Sequence, residues 1–302
     1  MTRLSGTTRF MFFGFVTIAA IAILQTSAPN SEGSIDRRDE IWWRSTTETS
    51  TPSQDSREFK LSNEPCPNNI PLLEPKQVES VDLELSLFLD LPGAIALVFL
   101  DAESGFVADR NGLVYAFDSG GVLAEPVINM TSDTSNELDQ GLLGMAISPD
   151  MGWLYLNRTD LSGSSVVTAH SLQSGMSNPG EGVEIIIVDQ PSAMHNGGDL
   201  AFDSEGRLLV SFGDGGGLGD PYGHGQNLST PLGAVLRLDV NPNQWPPHKP
   251  ATGNPDHGPG SDPRIWVSGV RNPFRFSFDE TTGDLWLTDL GQQCVEELNV
   301  LT

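Results

Sequence analysis

Apolar and polar residues alternate in short runs from about residue 78 onward, and turn residues separate the runs. Four stretches repeat one pattern: an alternating apolar run, a turn with glycine and an aspartate or asparagine, and a second apolar run. They are GFVADRNGLVYAFD (105–118), GMAISPDMGWLYLNRTD (144–160), DLAFDSEGRLLVSFGD (199–214) and FRFSFDETTGDLWLTD (275–290). Period-two alternation on both sides of such a turn predicts four β-hairpins.

The spacing of the turn glycines favours a β-propeller. Gly112 and Gly152 are 40 residues apart, which is about the length of one four-stranded blade. The next intervals, to Gly206 and then to Gly283, are longer and leave room for a blade plus loop insertions. We therefore predict an all-β propeller of four-stranded blades, with about four blades in this sequence. A β-sandwich has the same short strands and turns and is the alternative.

The chain divides into three predicted regions. Residues 1–28 carry a short basic stretch followed by an apolar run at 10–24, which is typical of a signal peptide and compatible with a retained membrane anchor. Residues 29–77 are rich in Ser, Thr, Pro and charge, and this composition predicts a disordered linker. The propeller then covers 78–302. Four blades leave an open edge, so we expect either irregular repeats or a propeller that is incomplete at its C-terminus. The protein is predicted to be exported, to the periplasm or the extracellular space.

Composition and charge exclude some classes of binding partner. The 302 residues include 32 Gly and 21 Pro, as expected for an all-β chain with many turns. The formal net charge of −24 argues against nucleic acid and anionic lipid as partners, because their phosphates need a basic surface. A solvated acidic surface explains the charge, and carboxylates that collect calcium are the alternative. Export would permit a disulfide between Cys66 and Cys294, but their wide separation in sequence leaves the pairing open.

Two short motifs carry candidate chemistry. His195 lies in MHNGG (194–198), directly before a predicted strand. An imidazole there can act as a general base because its pKa lies near neutrality, and a merely solvated histidine beside a turn is the alternative. Arg271 lies in RNP (271–273) before the fourth hairpin. Its planar guanidinium can hold an anionic ligand, or it can form a structural salt bridge.

The glycine-rich stretch GDGGGLGDP (213–221) lacks the Lys-Ser/Thr pair that a nucleotide-binding loop needs. It is predicted to be a surface loop, with a cation-binding or substrate-lining loop as the alternative. The sequence has no paired Cys/His metal spacing, no G-x-S-x-G and no G-x-G-x-x-G between a strand and a helix. Zinc enzymes, α/β-hydrolases and dinucleotide-dependent dehydrogenases are therefore unsupported.

From about residue 80 to residue 302, the sequence resembles the glucose/sorbosone dehydrogenase family, whose members are six-bladed β-propellers that use pyrroloquinoline quinone (PQQ). The resemblance rests on the order and spacing of five segments. They are GLLGMAISPD (141–150), HNGGDLAFDSEGRLLVSFGDGGGLGDP (195–221), GQNLSTPLGAVLRLDVNP (225–242), GVRNPFRFSFDETTGDLWLTDLGQ (269–292) and EELNV (296–300).

The resemblance implies oxidation of an aldose sugar to its lactone, with an external electron acceptor. His195 would be the general base that takes the proton of the C1 hydroxyl while hydride passes to the quinone. Arg271 and Asn272 would contact the quinone and polarise its oxygens, where negative charge grows. Asp139 and Gln140, just before the GLLG segment, would be further cofactor-binding positions.

The resemblance also implies a bound calcium ion, with the backbone carbonyls of Gly291 and Gln292 as its protein ligands. The sequence departs from the family pattern at two positions. Ala234 follows Gly233 where the family commonly has lysine, and Asp139 stands where the family commonly has glutamine. These departures keep an alternative open, in which the chain is a non-catalytic extracellular binding module or an inactive fragment of the family.

Overall fold

A computed structural model describes residues 87–292 and 296–302. The predicted signal peptide or anchor (1–28), the predicted linker (29–77) and both cysteines lie outside the described residues. Within the described part, all regular structure is β-strand, and no helix is long and apolar enough to cross a membrane.

The first two sheets are antiparallel and follow the chain in order. Sheet one contains β1 (Ala94–Phe99), β2 (Gly105–Asp109), β3 (Leu113–Asp118) and β4 (Gly121–Val122), with β5 (Ile128–Asn129) also paired to β3. Sheet two contains β6 (Leu142–Ile147), β7 (Trp153–Thr159), β8 (Ser165–Ser171) and β9 (Gly182–Val188). In both, each strand pairs with the next strand along the chain, which is the connectivity of a propeller blade.

The other two sheets have the same connectivity. Sheet three contains β10 (Leu200–Phe202), β11 (Leu208–Phe212), β12 (Ala234–Val240) and β13 (His248–Pro250), with β14 (Ile265–Ser268) also paired to β12. Sheet four contains β15 (Pro273–Phe278), β16 (Leu285–Asp289) and β17 (Glu297–Leu301). We call these sheets blades 1 to 4.

The blades contact one another through their first strands. Strand β1 contacts β6, β6 contacts β10, and β10 contacts β15. Four separate sheets whose first strands are neighbours form a propeller arrangement, whereas a sandwich would have two sheets stacked face to face. The prediction of an all-β propeller with about four blades is therefore confirmed.

An aspartate shapes the turn between the first and second strands of every described blade. In each case Oδ1 accepts the backbone N–H two residues later, at 2.8, 3.0, 3.0 and 2.7 Å for Asp101, Asp150, Asp203 and Asp279. A side chain that closes such a turn replaces a backbone hydrogen bond and fixes the reversal of the chain. The aspartates predicted in the last three hairpins therefore have this structural role.

The first predicted hairpin, 105–118, occupies a different position in its blade from the other three. It joins β2 to β3, whereas the other three join the first and second strands of their blades. The equivalent turn of blade 1 is the one at Asp101. The two turns give the same sequence signal, because Asp109 accepts the N–H of Asn111 and Gly112 has a positive φ of 104°.

The hydrophobic core lies between neighbouring blades. The largest cluster joins blades 2 and 3 and includes Tyr155, Val167, Phe212 and Leu236, all at most 1% exposed. Further clusters join blade 1 to blade 2 and blade 3 to blade 4. Each sheet therefore buries its faces against the adjacent sheets.

A buried ion pair links the first strands of blades 1, 3 and 4. Arg275 on β15 lies 3.8 Å from the carboxylate of Asp199, beside β10, and donates to the carbonyl of Ile95 on β1 at 2.9 Å. The other oxygen of Asp199 accepts the N–H of Phe276 at 2.8 Å. Burial raises the pKa of Asp199, although the neighbouring guanidinium opposes that shift. These contacts join three blades at their innermost strands.

The close approach of β6 to blade 3 depends on Gly144. A Cβ there would lie 2.1 Å from the carbonyl oxygen of Gly198. We expect Gly144→Ala to lower the free energy of unfolding by about 1–3 kcal/mol or more, because the backbone of one blade must move. Urea-induced unfolding measures the change. Gly180→Ala in the same blade is the control, because the nearest atom to its Cβ would be Cβ of Ser171, at 3.3 Å, and the backbone atoms of Ser171 would be 3.6 Å or more away. Equal losses in the two variants would contradict this account.

Candidate functional site

His195 has a left-handed backbone conformation that neighbouring groups hold in place. Its φ is 56°, a conformation that costs a non-glycine residue about 1–3 kcal/mol. The carboxylate of Asp139 accepts the N–H of His195 at 2.8 Å, and the N–H of Asp139 donates to the carbonyl of Ala193 at 3.0 Å. The segment before β6 therefore clamps the turn that carries the imidazole.

The imidazole of His195 is paired with a carboxylate. Its Nδ1 lies 2.6 Å from Oδ1 of Asp214, and both residues are buried, at 7% and 3% exposure. An ionised carboxylate only accepts, so Nδ1 carries the proton and Nε2 of the neutral ring has the free lone pair. No described residue is hydrogen-bonded to Nε2. The ring is thus oriented as a proton acceptor.

Arg271 lies next to this pair. Its backbone carbonyl accepts the N–H of Asp214 at 2.7 Å. In its side chain, Nη1 donates to the carbonyls of Leu290 and Gly291 at 3.0 and 3.2 Å. Within 87–292 and 296–302, no residue accepts a hydrogen bond from Nε or Nη2. One edge of the guanidinium is therefore held by backbone, and the other edge remains available to an anion.

Asn272 and Asp289 connect the arginine to the histidine turn. Oδ1 of Asn272 accepts the N–H of Gly197 at 3.1 Å. The carboxylate of Asp289 accepts the N–H groups of Arg271 and Asn272 at 2.8 and 2.6 Å. Burial raises the pKa of Asp289, although these two donors oppose that shift. A single carboxylate thus fixes the backbone of two adjacent predicted site residues.

The glycine-rich loop packs directly against the site. A Cβ on Gly213 would lie 2.0 Å from the carbonyl oxygen of His195, so only glycine fits there. Oδ1 of Asp214 also accepts the N–H of Gly216. The backbone carbonyl of Asp214 is bonded to Nδ1 of His224 at 3.0 Å. The N–H of Gly219 donates to the side chain of Gln292 at 2.6 Å. The loop therefore joins the histidine side of the site to the segment after β16.

The structure brings most of the predicted residues together. Asp139, His195, Arg271 and Asn272 belong to one hydrogen-bonded network through Asp214, Gly197 and Asp289. The side chain of Gln140 lies elsewhere, because its Oε1 accepts the hydroxyl of Ser135 at 2.5 Å. Gly291 and Gln292 lie beside Arg271 and the glycine-rich loop, respectively.

Sequence reasoning missed Asp214. The loop that contains it was predicted to be a surface loop, with a cation-binding or substrate-lining loop as the alternative, and Asp214 itself was given no role. The position of Asp214 relative to the strands was the available signal. Asp214 comes two residues after β11, and His195 comes five residues before β10. Strands β10 and β11 pair in an antiparallel manner. The end of the second strand and the start of the first meet at the same edge of a blade, so a carboxylate there is placed to reach a histidine at that edge.

The comparisons with known proteins agree on one family. The profile of the family described as Glucose / Sorbosone dehydrogenase matches residues 89–302. The HIPL1 protein of Arabidopsis thaliana is 27% identical in an alignment of 266 positions that covers 67% of this chain and 38% of that protein. Aldose sugar dehydrogenase YliI of Escherichia coli strain K12 is 25% identical in an alignment of 223 positions that covers 70% of this chain and 57% of that protein. The chain thus spans less than two thirds of the length of either relative.

A solved structure has the same fold. The PQQ-bound form of aldose sugar dehydrogenase from Streptomyces coelicolor superimposes with a TM-score of 0.59 at 23% identity. The match covers 71% of this chain and 61% of that chain.

The clamp at Asp139 can be tested without any ligand. Asp139→Ala removes the acceptor of the His195 N–H, and we expect the free energy of unfolding to fall by about 1–3 kcal/mol. Asp139→Asn keeps an oxygen acceptor in a side chain of the same size, so its loss should be clearly smaller. Chemical denaturation compares the two variants. If both lose the same stability, the hydrogen bond to His195 is not what holds the turn.

Proposed function

Because the chain belongs to the glucose/sorbosone dehydrogenase family, we propose that it oxidises the C1 hydroxyl of aldose sugars to the lactone, with PQQ as the hydride acceptor. The observation that carries the proposal is the buried pair of His195 and Asp214, 2.6 Å apart, in the same network as Arg271. Membership of the family supports an oxidoreductase that acts on sugars. The proposal of C1 oxidation with PQQ rests on His195, Asp214 and Arg271.

His195 has the proton-transfer role. Conversion of a C1 hemiacetal to a lactone removes one hydride from carbon and one proton from the hydroxyl. Nε2 of His195 takes the proton, because Nδ1 is already bonded to Asp214. The carboxylate of Asp214 holds the ring in this tautomer and stabilises the imidazolium that forms.

The donors around the site fit an anionic quinone. When bound, PQQ supplies the two-electron acceptor for the hydride. Its carboxylates and quinone oxygens need hydrogen-bond donors, and the free edge of the Arg271 guanidinium provides them. The side-chain NH₂ of Asn272 adds a donor, because its Oδ1 is already bonded to Gly197. Asp139 and Asp289 add negative charge nearby, but their carboxylates accept backbone N–H groups of the site. Ala234, 1% exposed, adds no charge at the position where the family commonly has lysine.

Calcium fits less well at the predicted carbonyls. The carbonyl of Gly291 already accepts a hydrogen bond from Arg271 at 3.2 Å, and this guanidinium would repel a divalent cation. The side-chain oxygen of Gln292 is bonded to the loop N–H of Gly219. In the described ranges, no three His, Cys, Asp or Glu residues are grouped as a metal site. No step of the proposed reaction therefore depends on calcium.

We place this reaction outside the cytoplasm, with residues 10–24 as a cleaved signal or a membrane attachment. The substrate is an aldose, and electrons leave through an external acceptor.

The proposal predicts PQQ-dependent dye reduction with aldoses. Purified protein is mixed with PQQ and a panel of aldoses, and the reduction of an artificial electron acceptor is followed. We expect His195→Ala to lower kcat/KM by about 10²–10⁴-fold, because proton transfer is lost. Asp214→Asn should also reduce kcat strongly, because an amide no longer enforces the tautomer of His195.

The control variant is His248→Gln, which changes a histidine on β13 that is bonded to the carbonyl of Ile185 in another blade. It should keep the activity of the unchanged protein. An inactive wild-type protein that still binds aldoses would favour the binding-module alternative. Activity that survives His195→Ala would exclude His195 as the base.

A further inference from the structure

Several buried side-chain atoms between blades 2 and 3 have no hydrogen-bond partner among the described residues. The oxygens are Oδ1 of Asn157, Oγ1 of Thr159, Oε1 of Gln190 and Oδ1 of Asn196; Nδ2 of Asn157 is also unpaired. Asn157, Thr159 and Asn196 are at most 1% exposed. Because an unpaired buried polar group costs about 1–3 kcal/mol, a group of them indicates a site that another species fills.

Strand pairing places Asn157 on the face of blade 2 that meets blade 3. Asn157 is the direct partner of Gly144 on the neighbouring strand, and directly opposed residues have their side chains on the same face. The Cβ position of Gly144 lies against the carbonyl of Gly198. The amide of Asn157 therefore projects toward the start of blade 3.

Thr159 lies on the same face, one step closer to the site edge. It donates its N–H to the carbonyl of Gly141 at 2.8 Å. The segment from Asp139 to Gly144 runs alongside the segment from His195 to Gly198, because contacts join both of its ends to that segment. Gly141 is therefore at the level of Asn196 and Gly197, and so is Thr159.

Gln190 completes the group. Ser165 is the direct partner of Thr159 on β8, and the amide nitrogen of Gln190 donates to the hydroxyl of Ser165 at 3.0 Å. The oxygen of Gln190 is consequently near Thr159. Asn196 donates its own amide nitrogen to the carbonyl of Ser192, which leaves its oxygen without a donor. We call Asn157, Thr159, Gln190 and Asn196 the interblade oxygen cluster.

We infer that the interblade oxygen cluster binds an alkali cation, with sodium as the occupant. Within the cluster, four oxygens need donors or a cation, whereas the one unpaired donor is Nδ2 of Asn157. The unpaired Nε of Arg158 belongs to the residue between Asn157 and Thr159 on β7, whose side chain is on the other face of the strand. Neutral carbonyl and hydroxyl oxygens replace the hydration shell of a monovalent cation, whereas calcium sites in proteins use carboxylates among six to eight oxygens. The net charge of −24 also attracts cations to the molecule.

This site is separate from the proposed reaction. A cation there bonds to Asn196, the residue that follows His195, and so stabilises the turn that carries the imidazole. The expected effect is therefore on stability, and its test needs neither PQQ nor sugar.

The test is thermal unfolding of the full chain in NaCl and in N-methyl-D-glucamine chloride at equal ionic strength. Wild-type protein should melt roughly 2–4 °C higher in sodium. Thr159→Val keeps the side-chain shape and removes one oxygen ligand, so it should abolish the difference between the two salts. Thr134→Val is the matched control: Thr134 is also buried, and its hydroxyl already donates to the carbonyl of Met130 at 2.8 Å. That variant should melt lower in both salts and keep the sodium effect.

Three results would overturn the inference. The first is a wild-type protein with the same Tm in both salts, and the second is a sodium effect that survives in Thr159→Val. The third is stabilisation by CaCl₂ alone at matched ionic strength, because the cluster is then occupied by a divalent ion.

Discussion

Two carboxylates, those of the half-buried Asp139 and the buried Asp289, determine where the side chains of the candidate site lie. Each accepts backbone N–H groups at the entrance of a first strand: Asp139 from His195, and Asp289 from Arg271 and Asn272. These bonds fix the backbone, and further contacts orient the side chains: the imidazole is bonded to Asp214, and the guanidinium donates to the carbonyls of Leu290 and Gly291. Asp214 then connects the two halves, through its side chain to His195 and through its backbone to Arg271.

Much of the fold could be predicted from the alternation of apolar residues and from the turn aspartates. That pattern is visible where a strand buries every second residue, as β16 does, and where the turn after a first strand needs a side-chain acceptor. It could not say which hairpin of blade 1 is equivalent to the others, because Asp101 and Asp109 close turns of the same kind. Blade assignment depends on contacts between first strands, and those contacts have no local signal.

Most residues of the candidate site could be predicted from the sequence, whereas the contacts between them could not. His195 and Arg271 stood out through their short motifs, but the partner of His195 is a residue of a glycine-rich loop that looks like a simple surface turn. Asp139 illustrates the same limit. In the sequence it was a predicted cofactor-binding position that departs from the family pattern, whereas in the structure its carboxylate accepts the backbone N–H of His195. The role of a carboxylate depends on which donor it reaches, and this follows from the packing of adjacent blades.

The link between Arg275 and Ile95 has a consequence for how the molecule folds. These residues are 180 positions apart, whereas each blade pairs only strands that are close in sequence. Contacts between segments that are distant in sequence have a larger entropic cost of loop closure, and they therefore form late. We expect the strand pairing within each blade to form first, and the link between blade 4 and blade 1 to form afterwards. Because Arg271 and Asn272 lie just before β15, which carries Arg275, we expect the candidate site to be completed late in folding.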